Sequence, residues 1–443
     1  MPSLQLLSSL PSHSEPAWAV TFNPARSLLA SCSTDRTIRL YSYILPSDPN
    51  PSLSGEGTST SKFPSSSDAK PVFSLAKVIE TDHKRTVRSV AWSPDGKNLA
   101  SGSFDSTVGV WEEVIPIDEA EQEQEQGQEG VFRPPREGEE DGENDGREKE
   151  WECVTTLEGH ESECKSVGFS SDGALLASCS RDKSVWVWEV QPDADFECIA
   201  VMMDHSQDVK CIAWHPQEEI LASASYDSHI HLAFDDPDSD WTIFQKLHPK
   251  LPAVPLTLSS TTSPQSLISA LIPSQAEKEA EEKLAVPPLE EDETVWCLAW
   301  SPCGRYLASG GDQGGIRIWT RKGSQPDSPY EETLHIVAHT RSIFSLSWSP
   351  SPSSSSSGSD SDLGLLASAG GDGKIVIWQL TSGEGEGAER VKIAPIAAVR
   401  DAHGVSDVNS VGWCVREDKK GLGVLSSAGD DGSVKVWRVV SED

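Results

Sequence analysis

The chain has 443 residues, 36% of them hydrophobic, and carries 70 acidic against 36 basic side chains, a formal net charge of −34. This excess of negative charge argues against nonspecific attraction to DNA, RNA or anionic lipid, because phosphate binding depends on Lys and Arg. Neither an apolar N-terminal leader nor a run of about 18 apolar residues is found, so we expect a soluble, cytosolic protein, with nuclear access left open.

One pattern recurs seven times along the chain. Ser-Phe-Asp-Ser-Thr-Val-Gly-Val-Trp at 103–111 returns as Ser-Arg-Asp-Lys-Ser-Val-Trp-Val-Trp at 180–188, and the five other copies are more divergent. In four copies a histidine precedes the aspartate by 22 residues: His13 and Asp35, His83 and Asp105, His160 and Asp182, His205 and Asp227. A repeat that runs from end to end predicts a single domain over 1–443.

Each unit predicts four short strands separated by turns, which is typical of a WD-repeat blade. In the second unit the strands after His83 are predicted over 86–92, 98–103 and 107–111, with a tight turn at Asp105. A fourth strand precedes each histidine, and the first of these is the N-terminal segment 4–10. That segment must complete the sheet whose other three strands lie at the C-terminus, which closes a ring and removes exposed sheet edges. We therefore predict an all-β, seven-bladed WD-repeat β-propeller.

Five insertions of biased composition separate the strands, and we expect them to be disordered. They are 46–70, 113–150, 248–293, 351–362 and 381–390. The repeat places 248–293 on the face that carries the aspartate turns, called the top face here, and the other four on the bottom face. The top insertion also displaces the histidine of unit five, because counting 22 residues back from Gln313 reaches Glu291.

Serine, histidine and aspartate recur together in the units, as they do in hydrolase triads. A nucleophile needs one exposed site with an oxyanion hole, whereas seven copies indicate a repeated scaffold requirement. We therefore assign the histidine–aspartate pairs to stability and expect neither catalytic residues nor a cofactor. Besides the four pairs above, this assignment covers His339 with Asp372 and His403 with Asp431.

The nine cysteines include no Cys-x-x-Cys pair. The closest two, Cys297 and Cys303, have no histidine near them in the sequence, so we expect buried, reduced thiols and no metal site.

The residues five positions after each histidine position are predicted to face the top end of the central channel. This row, together with the residues that precede three of the turn aspartates, reads Trp18, Arg88, Lys165, Lys210, Trp296 and Phe344, then Phe104, Arg181 and Tyr226. Arg and aromatic side chains dominate the energetics of protein interfaces. These side chains could instead cover the boundary between blades, with packed stems and solvated heads. We favour partner binding for the members in units two to four, which suit a peptide that bears a carboxylate and an aromatic.

Four motifs in consecutive units resemble those of the cytosolic iron-sulfur protein assembly WD-repeat family. They are Ser-Phe-Asp-Ser-Thr-Val at 103–108, Ser-Arg-Asp-Lys-Ser-Val-Trp at 180–186, His-Ser-Gln-Asp-Val-Lys at 205–210 and Ser-Tyr-Asp at 225–227. The resemblance is strongest over 83–234, and the insertions depart from the compact family pattern. It implies the propeller subunit of a targeting complex that passes iron-sulfur clusters to cytosolic and nuclear apoproteins.

By the same resemblance the partners would be a DUF59-type subunit, a HEAT-repeat subunit and the apoproteins themselves. Some of these client proteins are recognised through a C-terminal tail with an acidic residue and an aromatic. The family's functionally important top-face arginine corresponds to Arg181. The predicted function is a non-enzymatic scaffold or adaptor; the alternative is a WD-repeat substrate receptor, or a general signalling or ubiquitin-ligase scaffold.

Overall fold

The computed structural model describes residues 2–45, 71–114, 149–192, 195–236, 240–254, 256, 265–271, 293–351, 361–383, 390–416 and 418–441. The predicted insertion 46–70 lies wholly outside this part of the chain, and most of each other insertion does too. The expectation of disorder in those residues stays a prediction.

The described strands form seven four-stranded antiparallel sheets, numbered as blades in chain order. The N-terminal strand is β1 (Pro2–Leu10). Blade one contains β2 (Ala17–Phe22), β3 (Leu28–Ser33), β4 (Thr37–Ile44) and β5 (Val72–Glu80). Blade two contains β6 (Val87–Trp92), β7 (Asn98–Ser103), β8 (Val108–Val114) and β9 (Glu150–Leu157). Blade three contains β10 (Cys164–Phe169), β11 (Leu175–Ser180), β12 (Val185–Val190) and β13 (Phe196–Met202).

The remaining blades follow the same order. Blade four contains β14 (Val209–Trp214), β15 (Ile220–Ser225), β16 (Ile230–Asp236) and β17 (Asp240–Leu247). Blade five contains β18 (Val295–Trp300), β19 (Tyr306–Gly311), β20 (Gly315–Arg321) and β21 (Tyr330–Val337). Blade six contains β22 (Ile343–Ser349), β23 (Asp362–Gly370), β24 (Ile375–Gly383) and β25 (Arg390–Val399). Blade seven contains β26 (Val408–Trp413), β27 (Val424–Gly429) and β28 (Val434–Ser441), completed by β1.

The ring is closed by the two ends of the chain, as predicted. β1 pairs antiparallel with β28, with Leu4 opposite Val439 and Leu10 opposite Val434. The seven-bladed propeller is thereby confirmed, and the closing strand covers an edge that would otherwise be open to pairing with another chain.

The hydrophobic core lies between neighbouring blades. One cluster joins Ile38 and Leu40 of blade one to Val87 and Leu99 of blade two, all of them fully buried or nearly so. Alternating apolar residues face each adjacent sheet because side chains along a strand point to opposite faces. Each blade is therefore stabilised by its two neighbours, which holds the inner strands at fixed positions around the channel.

Part of the top insertion is structured, which corrects the expectation of disorder over all of 248–293. Val254 forms a parallel bridge with Ile336 of β21, and its N–H donates to the His335 carbonyl at 2.9 Å. A short helix, α1 (Gln265–Leu271), packs against β25, where the Arg400 Nε donates to the Ala270 carbonyl at 2.7 Å. The described parts of the insertion therefore lie along the outer strands of blades five and six.

The predicted bounds of three other insertions were also too wide. β8 continues to Val114 and β9 begins at Glu150, inside the predicted 113–150. β23 begins at Asp362, inside 351–362. β24 continues to Gly383 and β25 begins at Arg390, inside 381–390. Among the described residues α1 is too short to cross a membrane, and no other helix there could do so.

Candidate functional site

The histidine–aspartate pairs form one hydrogen-bonded network that recurs in six blades. In each, the histidine Nδ1 lies within 3.2 Å of the aspartate carboxylate and Nε2 lies within 2.9 Å of a buried serine Oγ. The pairs are His13–Asp35, His83–Asp105, His160–Asp182, His205–Asp227, His339–Asp372 and His403–Asp431.

Blade three illustrates what surrounds such a pair. The Ser178 Oγ is 2.9 Å from Nε2 of His160 and also accepts from Nε1 of Trp188 at 3.2 Å. Although burial opposes it, the hydrogen bond from His160 lowers the pKa of Asp182 well below its usual value, as do those from Ser184. Ser178 is fully buried, so its hydroxyl has no access to a substrate. The arrangement satisfies buried polar groups and fixes the turn, which is structural chemistry.

Blade five replaces this network with an ion pair between Glu293 and Arg317. Glu291, the position reached by counting from Gln313, lies outside the described residues. Glu293 is 9% exposed; its Oε1 accepts from the Gln313 N–H at 3.0 Å and its Oε2 accepts from Arg317 at 3.0 Å. Arg317 also pairs with Glu332 at 2.5 Å. The blade has lost the histidine and the aspartate, as the sequence indicated, but a glutamate and an arginine take over the turn.

The predicted row of channel residues meets around one cavity of about 290 Å³ at the top of the channel. We call this cavity the top mouth; one residue of its lining comes from the inner strand of each blade: Trp18, Arg88, Lys165, Lys210, Trp296, Phe344 and Asn409. Phe104, Asp407 and Asp430 complete the lining. Asn409 was missed because the segment after His403 is one residue longer than in other blades, so counting five reaches the buried Val408.

Three cations of the top mouth lie over aromatic faces. These contacts are Arg88 over Trp18 at 4.7 Å, Lys165 over Phe104 at 4.1 Å and Lys210 over Tyr226 at 3.5 Å, each measured to the ring centroid. The side chains of Lys165 and Lys210 are only 12% and 9% exposed. Burial, reinforced by Lys165, lowers the pKa of Lys210 to about 8. The lysine stems are therefore packed, as in the alternative interpretation, while the ammonium groups face the cavity.

Arg181 lies on the rim above blade three and is exposed, whereas the other predicted cations, Arg88, Lys165 and Lys210, are half-buried. Its side chain is 59% exposed, with Nη1 at 3.7 Å from Glu163 and Nε at 3.9 Å from Asp208. Glu163 also accepts from Lys165 at 2.7 Å and from Arg85 at 3.0 Å. Burial of Glu163 works against ionisation, but these two cations lower the pKa of its carboxyl. Glu163 thus contacts both Arg181 on the rim and Lys165 in the top mouth.

Three carboxylates of this region were not predicted. Glu163, Asp208 and Asp407 each lie two residues before a residue of the mouth row, namely Lys165, Lys210 and Asn409. Counting three residues from the histidine would have found Glu163 and Asp208, but in blade seven this count reaches Ser406 and misses Asp407. Glu163 and Asp208 pair with the lysines of blades three and four, whereas Asp407 and Asp430 make the blade-seven side of the mouth acidic. There Asp430 accepts from the Asn409 amide at 2.7 Å.

The cysteines are described as free thiols, and most are buried. Burial raises the pKa of Cys32 and Cys164 to about 12 and that of Cys211 to about 11. These groups are protonated thiols at neutral pH, whereas metal binding requires the thiolate. Cys297 is buried as predicted, but Cys303 is exposed and contacts the Ser301 hydroxyl at 3.4 Å.

Comparison with known proteins places the chain among WD-repeat proteins. The family model described as WD domain, G-beta repeat matches at 4–42, 73–112, 151–189, 196–232, 288–320, 331–379 and 396–438. A protein of Cryptococcus neoformans var. neoformans serotype D, strain JEC21, named probable cytosolic iron-sulfur protein assembly protein 1, is 71% identical over 99% of both chains.

Proteins of the same name are similar to this chain in more distant fungi. The Mycosarcoma maydis protein is 41% identical and the match covers 99% of this chain and 94% of that one. The Aspergillus niger protein is 34% identical, with 99% and 97% covered. These names refer to the cytosol and to iron-sulfur protein assembly, and they support a role in that process. The chain belongs to the cytosolic iron-sulfur protein assembly protein 1 family of WD-repeat proteins.

Proposed function

We propose that this chain is a non-catalytic adaptor of cytosolic iron-sulfur protein assembly, and that the top mouth and Arg181 dock its protein partners. The names of the relatives support a role in iron-sulfur protein assembly. The observation that carries the docking surface is the exposed Arg181 next to cations that already lie over aromatic rings. Arg and aromatic residues around a concave centre form the type of surface that contributes most to protein binding.

Arg181 is suited to receive a carboxylate from a partner. Its distances to Glu163 and Asp208, 3.7 and 3.9 Å, are longer than hydrogen bonds, so both carboxylates orient the guanidinium without occupying its N–H groups. Lys165, in contrast, is already hydrogen-bonded to Glu163 at 2.7 Å. A side chain that is oriented before binding loses less conformational entropy when a partner arrives. A forked pair with a carboxylate on Arg181 is therefore the central contact of the proposed interface.

The family resemblance extends this proposal to named kinds of partner. We infer a DUF59-type subunit, a HEAT-repeat subunit and iron-sulfur apoproteins as the proteins that bind, with an acidic residue and an aromatic as the docking chemistry. A substrate receptor of a ubiquitin ligase would use a similar rim, so the identity of the captured proteins separates the two functions.

Affinity capture from a fungal cell extract with three forms of the chain tests the proposal. The wild type should return DUF59-type and HEAT-repeat proteins, and Arg181→Glu should lose most of them, because a new carboxylate would face Glu163 and Asp208. Lys97→Glu, at a bottom-face lysine whose side chain is 71% exposed, makes the same charge change far from the rim and should capture normally. Cullin-ligase components in place of the expected partners, or equal capture by all three forms, would refute the proposal.

A further inference from the structure

Three histidines meet at the top of the two outer strands of blade four. His229 directly precedes β16 and His231 is its second residue, so their side chains, two positions apart, point to the same face. Ile230 of β16 lies opposite Leu247 of β17, and the same antiparallel register places His248 opposite His229. The ring centroid of His229 is 4.9 Å from that of His248 and 6.3 Å from that of His231.

His231 contributes a buried imidazole with an unused nitrogen. The residue is 4% exposed, and its Nδ1 is buried without a hydrogen-bond partner. A buried polar atom left unpaired costs about 1–3 kcal/mol and calls for an explanation such as a bound ion.

His229 is oriented in the way that metal-binding histidines usually are. Its Nδ1 lies 2.7 Å from the Asp227 carbonyl oxygen, which can only accept, so Nδ1 carries the proton and Nε2 keeps the lone pair. A backbone carbonyl on the second nitrogen is a common partner of a histidine bound to a metal. The His229 side chain is 38% exposed, which leaves Nε2 open to an ion from solvent.

We propose that His229, His231 and His248 form a binding site for a divalent transition metal ion of the zinc type. Neutral imidazole suits zinc, copper and nickel. With Zn–N bonds of about 2.0–2.1 Å, two imidazoles on one tetrahedral ion have ring centroids about 5 Å apart. The 4.9 Å between His229 and His248 matches this value, and rotation of the partly exposed His229 ring would shorten the 6.3 Å that separates it from the buried His231 ring. A water molecule would take the fourth position.

A different set of three, His205, Asp227 and His231, also brings ligand atoms within 4.8 Å of one another. The His205 ring is already used on both sides, by Asp227 at Nδ1 and by Ser223 at Nε2, each at 2.9 Å. It also stacks face to face on His231, with centroids 3.7 Å apart and planes 6° from parallel, so the two rings cannot direct their lone pairs at one ion. The structural network therefore keeps His205, and the ion is assigned to the outer three histidines.

The position of the site indicates what the ion would do. His248 is the first residue of the top insertion 248–293, whereas His229 and His231 belong to the sheet of blade four. An ion held by all three fixes the start of the insertion to that blade. The nearby Lys246 ammonium, which would oppose a cation, is paired with Asp204 at 3.2 Å.

Metal titration of the full-length chain, prepared without a histidine tag and dialysed against a chelator, tests this site. Co²⁺ should bind one per chain and give the visible absorption bands of tetrahedral coordination, and Zn²⁺ should displace it. His229→Ala and His248→Ala should each weaken binding at least tenfold, because a three-ligand site becomes a two-ligand site. Lys246→Ala, on the same face but not a ligand, should bind one ion at least as tightly as the wild type.

Unfolding midpoints with and without Zn²⁺ control for misfolding. Both His→Ala variants replace partly exposed rings, so without metal they should unfold at the wild-type temperature, and added Zn²⁺ should raise the midpoint only in the wild type and Lys246→Ala. If the wild type binds no stoichiometric metal, or if both His→Ala variants bind as the wild type does, the proposal is wrong.

Discussion

Blades three and five fix the same turn by different chemistry. Blade three uses the ring of His160 between Asp182 and Ser178, with hydrogen bonds of 2.9 Å on both sides. Blade five uses Glu293 and Arg317 at 3.0 Å, both at most 9% exposed. The two blades have the same strand order, so the sheet does not depend on one particular network. What it requires is that the buried polar groups of the turn have partners.

The rim shows a second difference within blade three itself. Arg181 and Asp182 are neighbours in one turn, yet the Asp182 side chain is 10% exposed and the Arg181 side chain 59%. Asp182 faces the histidine of its own blade, whereas Arg181 faces carboxylates above the channel. Stability and the proposed binding function can therefore be separated by substitutions one residue apart.

The largest expected effect comes from removing a histidine of the network. His160→Ala should lower the free energy of unfolding by about 3 kcal/mol, because Asp182 and Ser178 lose a buried partner and a cavity remains. Chemical denaturation measures the change. Arg181→Glu should change the same quantity by less than about 1 kcal/mol. A similar loss in both variants would contradict the separation of the two roles.

A smaller effect is expected from the charge of Lys210. Its folded-state pKa of about 8 means that the ammonium loses most of its charge as the pH rises from 7 to 9. Capture of acidic partners should therefore weaken by about fivefold over this range, roughly 1 kcal/mol for one ion pair. Lys210→Met should capture more weakly at pH 7 and show a smaller change up to pH 9. Parallel pH dependence in the two forms would exclude Lys210 from the interface.

The closed ring of blades and most of the top mouth could be predicted from the sequence, because both follow from the constant spacing of residues within each repeat. Counting five residues from each histidine position, which in blade five is Glu291, reached six of the seven inner-strand residues of the mouth. Counting did not find Asn409 or Glu293, because the loop before the inner strand has a different length in these two blades and the spacing is no longer constant. The course of the top insertion could not be predicted either, since Val254 and α1 are placed by contacts with distant strands.

The ion pairs of the rim could not be predicted from residue spacing for a different reason. Glu163 serves Lys165, Arg85 and Arg181 together, and which of them it contacts depends on rotamers rather than on register. A pattern of basic and aromatic residues therefore indicated the surface but overstated its free positive charge. Pairing leaves Arg181 as the accessible donor among cations that are otherwise largely packed or neutralised.

The smallest effect is the most informative about blade five. Gln313→Asp restores the residue that the other blades have at this turn, and a simple consensus argument predicts stabilisation. We expect the opposite, a loss of about 0.5 kcal/mol, because the new carboxylate would face Glu293, whose Oε1 already accepts from the backbone N–H of residue 313 at 3.0 Å. Adding Glu293→Gln should remove this penalty, and a double-mutant cycle in chemical denaturation measures the coupling. Stabilisation by Gln313→Asp alone would mean that the turn of blade five still follows the rule of the other six, with Glu293 only a neighbour of it.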